Sequence, residues 1–145
     1  VFDDIVNEVA EKLKTADGLL IGSPVYYAGV NGQLRAFLDR LFYSSSSQPK
    51  TMKVGAVVLS SRRAGSTTAY DEIIKYFSIC SMPVVTSTYW NEVHGSTAAE
   101  VEKDLEGLQT MRNLGRNMAF LMGAIDAKRD SIPAQEKTER TNFIR

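Results

Sequence analysis

Residues 23–29, Ser-Pro-Val-Tyr-Tyr-Ala-Gly, are of types that suit a flat heteroaromatic ligand. Tyr26 and Tyr27 offer ring faces for stacking, and Gly29 permits close approach of the backbone. A helix that follows would present its positive N-terminus to negative charge. The local composition by itself favours a plainer interpretation, in which this is a proline-containing turn from a strand to a helix and its tyrosines cover the core.

Two further segments carry polar and aromatic side chains. Residues 60–66 combine hydroxyl groups, two arginines and a glycine ahead of a predicted helix. This composition suits the binding of an anion or of the electron-rich edge of a ring. It also suits a plain, solvated helix start that binds no ligand. Residues 89–95, Tyr-Trp-Asn-Glu-Val-His-Gly, contain the only tryptophan and the only histidine of the chain. For a lone histidine such as His94, a structural or solvated role is favoured over acid–base catalysis.

Several familiar catalytic and cofactor-binding signatures are missing from the sequence. Cys80 and His94 are single residues without the spacing of metal ligands, so no metal site is predicted. Neither GxxxxGK[ST] nor GxGxxG occurs, which argues against a P-loop and a dinucleotide fingerprint. Because G-x-S-x-G is also missing, Ser-His-Asp hydrolysis has no support.

The composition is that of one ordinary globular domain. The chain has 145 residues, enough for a single core, and its 17 Lys+Arg balance its 17 Asp+Glu. No basic excess points to nucleic acid or to an anionic membrane, and no apolar run approaches the roughly 20 residues that cross a bilayer. The single cysteine rules out an internal disulfide and agrees with a reducing cytoplasm, which is the expected location.

The hydrophobic pattern predicts strands that alternate with amphipathic helices, which gives a parallel sheet with helices on both faces. The predicted helices cover about 3–14, 31–43, 68–80 and 97–122, and the predicted strands cover 19–22, 54–59 and 83–88. Pro24 is expected to end the first strand, since proline cannot donate to a ladder. Ligands bind such sheets at the carboxyl ends of the strands, so the loops at 22–30, 60–67 and 89–97 are expected to meet there.

Five stretches follow one another in an informative order: ADGLLIGSPVYY at 16–27, GQLRAFLDR at 32–40, RAG at 63–65, MPVV at 82–85 and YWNEVHG at 89–95. Together they resemble the flavodoxin-like NAD(P)H-dependent FMN reductase family, which is close to NAD(P)H:quinone oxidoreductases and iron–sulfur flavoproteins. The resemblance covers roughly residues 1–122.

The resemblance implies that FMN binds non-covalently at the strand ends and carries the redox chemistry. It implies NAD(P)H as the electron donor, and a flavin, a quinone or another small molecule or protein as the acceptor. Because no side chain then has to act as an acid or base, no catalytic residue is assigned. The implied cofactor-binding residues are Ser23, Pro24, Val25, Tyr26, Tyr27, Ala28 and Gly29 along the ring, Ser60, Ser61, Arg62, Arg63 and Gly65 toward its pyrimidine side, and Asn91, His94 and Gly95 near its edge.

The implied fold class is α/β, a flavodoxin-like doubly wound parallel sheet with strand order 2-1-3-4-5. The strands in this sequence match 3, 4 and 5. Strands 1 and 2, with the loop that cradles the FMN phosphate, are therefore expected in an N-terminal extension, and any iron–sulfur cluster would be confined to that extension.

Residues 1–125 are expected to form the FMN-binding domain and residues 126–145 a polar tail. The Phe143-Ile144 end of this tail would either anchor on a second subunit or be a plain unstructured terminus. The family resemblance also leads us to expect a homodimer or a homotetramer.

Three functions are compatible with these observations. The leading hypothesis is an FMN-dependent NAD(P)H oxidoreductase. The second is an electron carrier of the flavodoxin or iron–sulfur flavoprotein type, and the third is an interaction module without redox activity. The aromatic loops argue against the third, because bare polar loops would suffice for a module that binds no flat ligand.

Overall fold

A computed structural model of the protein describes residues 4–143. Its helices are α1 (Ile5–Thr15), α2 (Gly32–Ser44), α3 (Ser66–Ile79), α4 (Ala98–Val101) and α5 (Leu105–Ala127), followed by a 3-10 turn at Arg129–Ser131. Its strands are β1 (Gly18–Tyr26), β2 (Gly29–Val30), β3 (Val54–Ser61) and β4 (Glu92–His94). Ile144 of the expected anchor lies outside the described residues, and Phe143 beside it is exposed.

The four strands form one sheet in the order β2-β1-β3-β4. Strand β1 runs parallel to β3, in register from Gly18 opposite Val54 to Pro24 opposite Ser60. Strand β4 is parallel to the far end of β3, and the short β2 folds back antiparallel onto the end of β1. The predicted α/β class with a largely parallel sheet is confirmed.

The core lies on both faces of β3, whose side chains alternate between the two layers. Val57 and Leu59 face a layer built with α1, α2 and α3, while Val54 and Ala56 face Leu114 of α5. Burial on both faces explains why β3 is a nearly continuous apolar run in the sequence.

The first strand is longer than the sequence pattern indicated. It was predicted to end at Ser23-Pro24, and it continues through Pro24 to Tyr26. Proline is tolerated here because the pairing of β1 with β3 ends at Pro24 and the pairing with β2 begins only at Val25, so its missing N–H lies between the two ladders. The consequence is that residues 23–30 form a hairpin and not a simple turn into α2.

The predicted strand at 83–88 is wrong. Within that segment only Val84 makes a β-bridge, to Gly55, and the true edge strand is Glu92–His94, inside a stretch that was expected to be a loop. After Val85 the chain therefore leaves its place beside β3, forms an irregular excursion over residues 86–91 and returns to the sheet as β4.

The predicted long helix at 97–122 is wrong as a single element. It is broken into α4 and α5 because Asp104 caps a new helix, accepting a hydrogen bond from the Gly107 N–H at 2.9 Å. Helix α5 then runs to Ala127, past the predicted boundary of the tail at residue 126.

Candidate functional site

The carboxyl ends of β1, β3 and β4 lie side by side at one edge of the sheet, which we call the carboxyl edge (residues 23–30, 60–66 and 94–95). Pro24 lies opposite Ser60, and Ser61 lies opposite His94. The N–H of Gly95 donates to the carbonyl of Ser61 at 3.1 Å. The structure therefore brings parts of all three chemistry-bearing segments together.

The hairpin at the end of β1 turns through two residues in the left-handed region. Tyr27 has a φ of 51° and Ala28 a φ of 58°, between the paired residues Tyr26 and Gly29. Two positive φ angles are what a type I′ hairpin turn needs, and Asn-Gly meets that need better than Tyr-Ala does. Each non-glycine residue in this region costs about 1–2 kcal/mol, so the turn is strained.

The strained turn projects aromatic rings into solvent. Tyr27 is fully exposed, and Tyr26 is 57% exposed. The interpretation in which these tyrosines cover the core is therefore wrong. Strain of this kind persists where the surrounding structure enforces it, and it is common at binding sites.

Gly65, in the segment 60–66, packs against the hairpin. It is the N-cap of α3, with a φ of 95°, and a Cβ placed on it would lie 2.8 Å from the Cα of Ala28. Because glycine offers no capping side chain, the first-turn N–H groups of α3 receive no side-chain cap. These donors and the positive end of the helix dipole lie beside the hairpin.

Two buried or half-buried polar groups hold the hairpin in place. The hydroxyl of Ser23, 6% exposed, accepts from the Asn31 N–H at 3.0 Å and donates to the Pro24 carbonyl at 2.7 Å. Glu72 of α3 accepts from the Val30 N–H at 3.1 Å and pairs with Arg35 at 2.5 Å. The Val30 N–H and the Arg35 guanidinium hold the pKa of Glu72 below its usual value of 4.5.

We expect Glu72→Gln to lower the free energy of unfolding by about 1–2 kcal/mol near pH 7, because it weakens charge-assisted hydrogen bonds to the hairpin. The folded-state pKa of Glu72 is depressed, so its contribution is present above pH 4.5 and is lost as pH falls through the folded value. Urea unfolding across this pH range should show the difference between the variant and the wild type shrinking with acid. Glu11→Gln, in an exposed pair with Lys14, is the control, with an expected change within about 0.5 kcal/mol. A difference for Glu72→Gln that persists in acid would contradict the assignment.

A chain of polar groups runs along β4 at this edge. The Ser61 hydroxyl lies 3.3 Å from Nδ1 of His94, and Nε2 of His94 lies 3.6 Å from a carboxylate oxygen of Glu92. The other carboxylate oxygen of Glu92 accepts a hydrogen bond from Ser66. Glu92 is 9% exposed and His94 is exposed, so this arrangement could pass a proton between a buried carboxylate and a ligand at the edge.

Asn91 does not lie with the other predicted residues. Its backbone carbonyl accepts from the Leu59 N–H at 2.9 Å, and the residue is 3% exposed at the border of a cavity between α3 and Trp90. The remaining predicted residues are at the edge with graded exposure. Pro24, Ala28, Arg62 and Arg63 are exposed; Val25, Gly29, Ser60 and Gly95 are half-buried; and Ser61 is buried.

The sequence-based prediction missed Glu72 and gave Glu92 no role. The signal for Glu92 was available in principle, since residues 92 and 94 face the same side of a strand, but the segment had been taken for a loop. Glu72 lies 42 residues from Val30 along the chain, so no local pattern connects them. Asp104 was also missed, and it accepts from the His94 N–H at 2.7 Å, which ties β4 to α5.

Within residues 4–143 no three His, Cys, Asp or Glu side chains cluster in a way that could hold a metal ion. Over the same range, none of the helices combines the length and the apolar character needed to cross a membrane.

The family model described as NADPH-dependent FMN reductase matches residues 1–97. An iron–sulfur flavoprotein of Methanocaldococcus jannaschii is 37% identical over 132 residues, which cover 86% of this chain and 68% of that protein. The resemblance inferred from the sequence motifs is confirmed, and the chain spans about two thirds of the length of this relative.

Solved structures agree on the fold. An NAD(P)H:(acceptor) oxidoreductase flavoenzyme from Paracoccus denitrificans superposes with a TM-score of 0.53 at 16% identity, covering 86% of this chain and 65% of that one. A flavodoxin from the domain Archaea gives a TM-score of 0.51 at 19% identity, covering 74% of this chain and 69% of that one. The flavodoxin-like class predicted from the sequence is confirmed.

Proposed function

The chain belongs to the NADPH-dependent FMN reductase family, and on that premise we propose that it is a flavin-dependent oxidoreductase that binds FMN at the carboxyl edge. When bound, FMN would supply the hydride and electron transfer chemistry that protein side chains lack. The observation that carries the proposal is the strained hairpin, which holds Tyr26 and Tyr27 exposed beside the uncapped start of α3.

The residues at the edge fit the isoalloxazine ring of a flavin. The exposed tyrosine rings offer faces for stacking. The first-turn N–H groups of α3 suit the polar, electron-rich side of the ring, and the exposed Arg62 and Arg63 add positive charge nearby. His94, between Ser61 and Glu92, would hold or deliver a proton beside the ring.

We propose NAD(P)H as the electron donor, and a flavin, quinone or similar compound as the acceptor. The description of the matching family names NADPH, and the name of the Paracoccus denitrificans flavoenzyme gives NAD(P)H. The exposed arginines would attract the phosphates of a dinucleotide.

The test is anaerobic addition of NADPH or NADH to the FMN-loaded protein while the visible flavin band is recorded. We expect the band to bleach with either nucleotide and to return when a quinone is added. An FMN-loaded protein whose band persists with both nucleotides would contradict the proposed donor.

A second candidate is an electron carrier that exchanges single electrons with protein partners. The observation that favours it is the 37% identity to a protein named iron–sulfur flavoprotein. Slow oxidation of NAD(P)H combined with fast reduction by a reduced ferredoxin would select this candidate over the first.

A further inference from the structure

Helix α5 contains an apolar segment that packs against the sheet on one side only. Residues 118–125 include no polar side chain. The inward side chains of this segment pack in the layer around Leu114, whereas Ala119, Phe120 and Gly123 are exposed, and Phe120 is 78% exposed. A surface helix normally has polar residues on its outer side, and a helix that is apolar all round is normally buried. The outer side of this segment therefore has the composition of a covered surface.

Five exposed residues on the outer side of α5 have a spacing that reads the same in both directions. They are Arg112, Gly115, Ala119, Gly123 and Asp126, separated by three, four, four and three positions. At 3.6 residues per turn they lie within roughly 80° of one another around the helix, and we call them the α5 face. A Cβ added to either glycine would meet no atom within 4 Å, so the surface beside both glycines is open.

The charges of the α5 face are complementary to those of the same face on a second copy of the chain. When two α5 helices pack antiparallel about Ala119, Arg112 of each copy comes level with Asp126 of the other, about 10 Å along the helix from the crossing point. Gly115 of each copy then comes level with Gly123 of the other, and small residues at a crossing let two helices approach closely. A parallel pair would instead oppose arginine to arginine and aspartate to aspartate, which is repulsive.

Both charged residues of the α5 face can accept a partner. The guanidinium of Arg112 has no ion-pair or hydrogen-bond partner within residues 4–143. Asp126 pairs with Arg129 at 2.8 Å, and both side chains are exposed. A carboxylate has lone pairs for more than one donor, so a second guanidinium can bind Asp126 without displacing Arg129.

We propose that the α5 face is a homodimer interface, in which two copies of the chain pack their α5 helices antiparallel about a two-fold axis at Ala119. Such an interface is isologous, since each copy contributes the same surface. A different partner protein would have no need of a spacing that is symmetrical about one residue. The contact involves one helix from each copy, which is small for a protein interface, so we expect a dissociation constant of about 10 μM.

Cysteine cross-linking of the full-length protein tests the position of the axis. In Ala119→Cys the two introduced thiols face each other across the axis, so oxidised glutathione should convert most of the protein into a covalent dimer on a non-reducing gel. Ala124→Cys is the matched control, because residue 124 is exposed on the same helix but lies about 140° away from residue 119. The native Cys80 is present in both variants, so its own contribution cancels.

A charge exchange tests the pairing across the interface. Arg112→Glu places two carboxylates opposite each other at both ends of the contact, so the dissociation constant of the dimer, measured by sedimentation equilibrium, should rise at least about tenfold. Asp126→Arg should have a similar effect. The double variant Arg112→Glu/Asp126→Arg restores opposite charges and should dimerise within about threefold of the wild type. This recovery also shows that the single variants are folded.

Three results would overturn the proposal. The first is a folded full-length protein that stays monomeric well above the expected dissociation constant. The second is Ala119→Cys protein that cross-links no better than Ala124→Cys, which would place any dimer contact on another surface. The third is a double variant that dimerises no better than Arg112→Glu alone, which would exclude the pairing of residue 112 with residue 126.

Discussion

Replacing Gly65 with alanine is expected to lower the free energy of unfolding by about 3 kcal/mol and to weaken FMN binding at least about tenfold. Gly65 has a φ of 95°, which costs an L-residue about 1–2 kcal/mol. The added Cβ would also meet the backbone of Ala28 at 2.8 Å, so the strained turn or the start of α3 has to move. Either movement separates the tyrosine rings from the N–H groups of α3. Urea unfolding and flavin fluorescence titration measure the two effects.

Gly115→Ala is the matched control for this prediction. Gly115 is exposed within α5, and a Cβ there would meet no atom within 4 Å. The substitution should stabilise the protein by up to about 1 kcal/mol through helix propensity and leave FMN affinity unchanged. If Gly65→Ala matched the stability and FMN affinity of the wild type, the contact between residue 65 and the hairpin would have no role in folding or in FMN binding.

Replacing Tyr27 with glycine is expected to change stability and binding in opposite directions. Glycine adopts a φ of 51° without the penalty paid by tyrosine, so the free energy of unfolding should rise by about 1 kcal/mol. The loss of a fully exposed ring that stacks on the flavin should weaken FMN binding about tenfold.

Tyr27→Phe separates the ring from the hydroxyl and serves as the control. It keeps both the backbone strain and the stacking surface. Its free energy of unfolding should therefore stay close to that of the wild type, and its dissociation constant for FMN should stay within about twofold. The explanation of the strain as a cost of holding the ring in place would fail if Tyr27→Gly bound FMN as well as Tyr27→Phe.

The elements with strong apolar periodicity could be predicted from the sequence, and the irregular ones could not. The central strand β3 and helices α1 to α3 were located within a few residues, because their hydrophobic patterns match their burial. The continuation of β1 through Pro24 was missed because the place where the ladder with β3 ends and that with β2 begins is a property of the assembled sheet. The three-residue β4 was missed because its polar residues Glu92 and His94 are typical of a loop.

The same division holds for the candidate site. The composition of residues 23–29 indicated a place for a flat ring, but the left-handed turn at Tyr27-Ala28 has no sequence signal, since neither residue prefers that conformation. The support from Glu72 depends on packing between α3 and the hairpin. Asn91 was assigned to the flavin edge because the family resemblance implied it, and its burial beside Leu59 depends on how the excursion at 86–91 packs.

The most direct test of a flavin site at the carboxyl edge is an equilibrium titration of oxidised FMN with the purified full-length protein, followed by flavin fluorescence. The account predicts saturable quenching with one FMN per chain in the wild type and in Gly115→Ala, and greatly weakened quenching in Gly65→Ala. Folded wild-type protein that leaves FMN fluorescence unchanged, or a Gly65→Ala variant that binds FMN as tightly as the wild type, would contradict it.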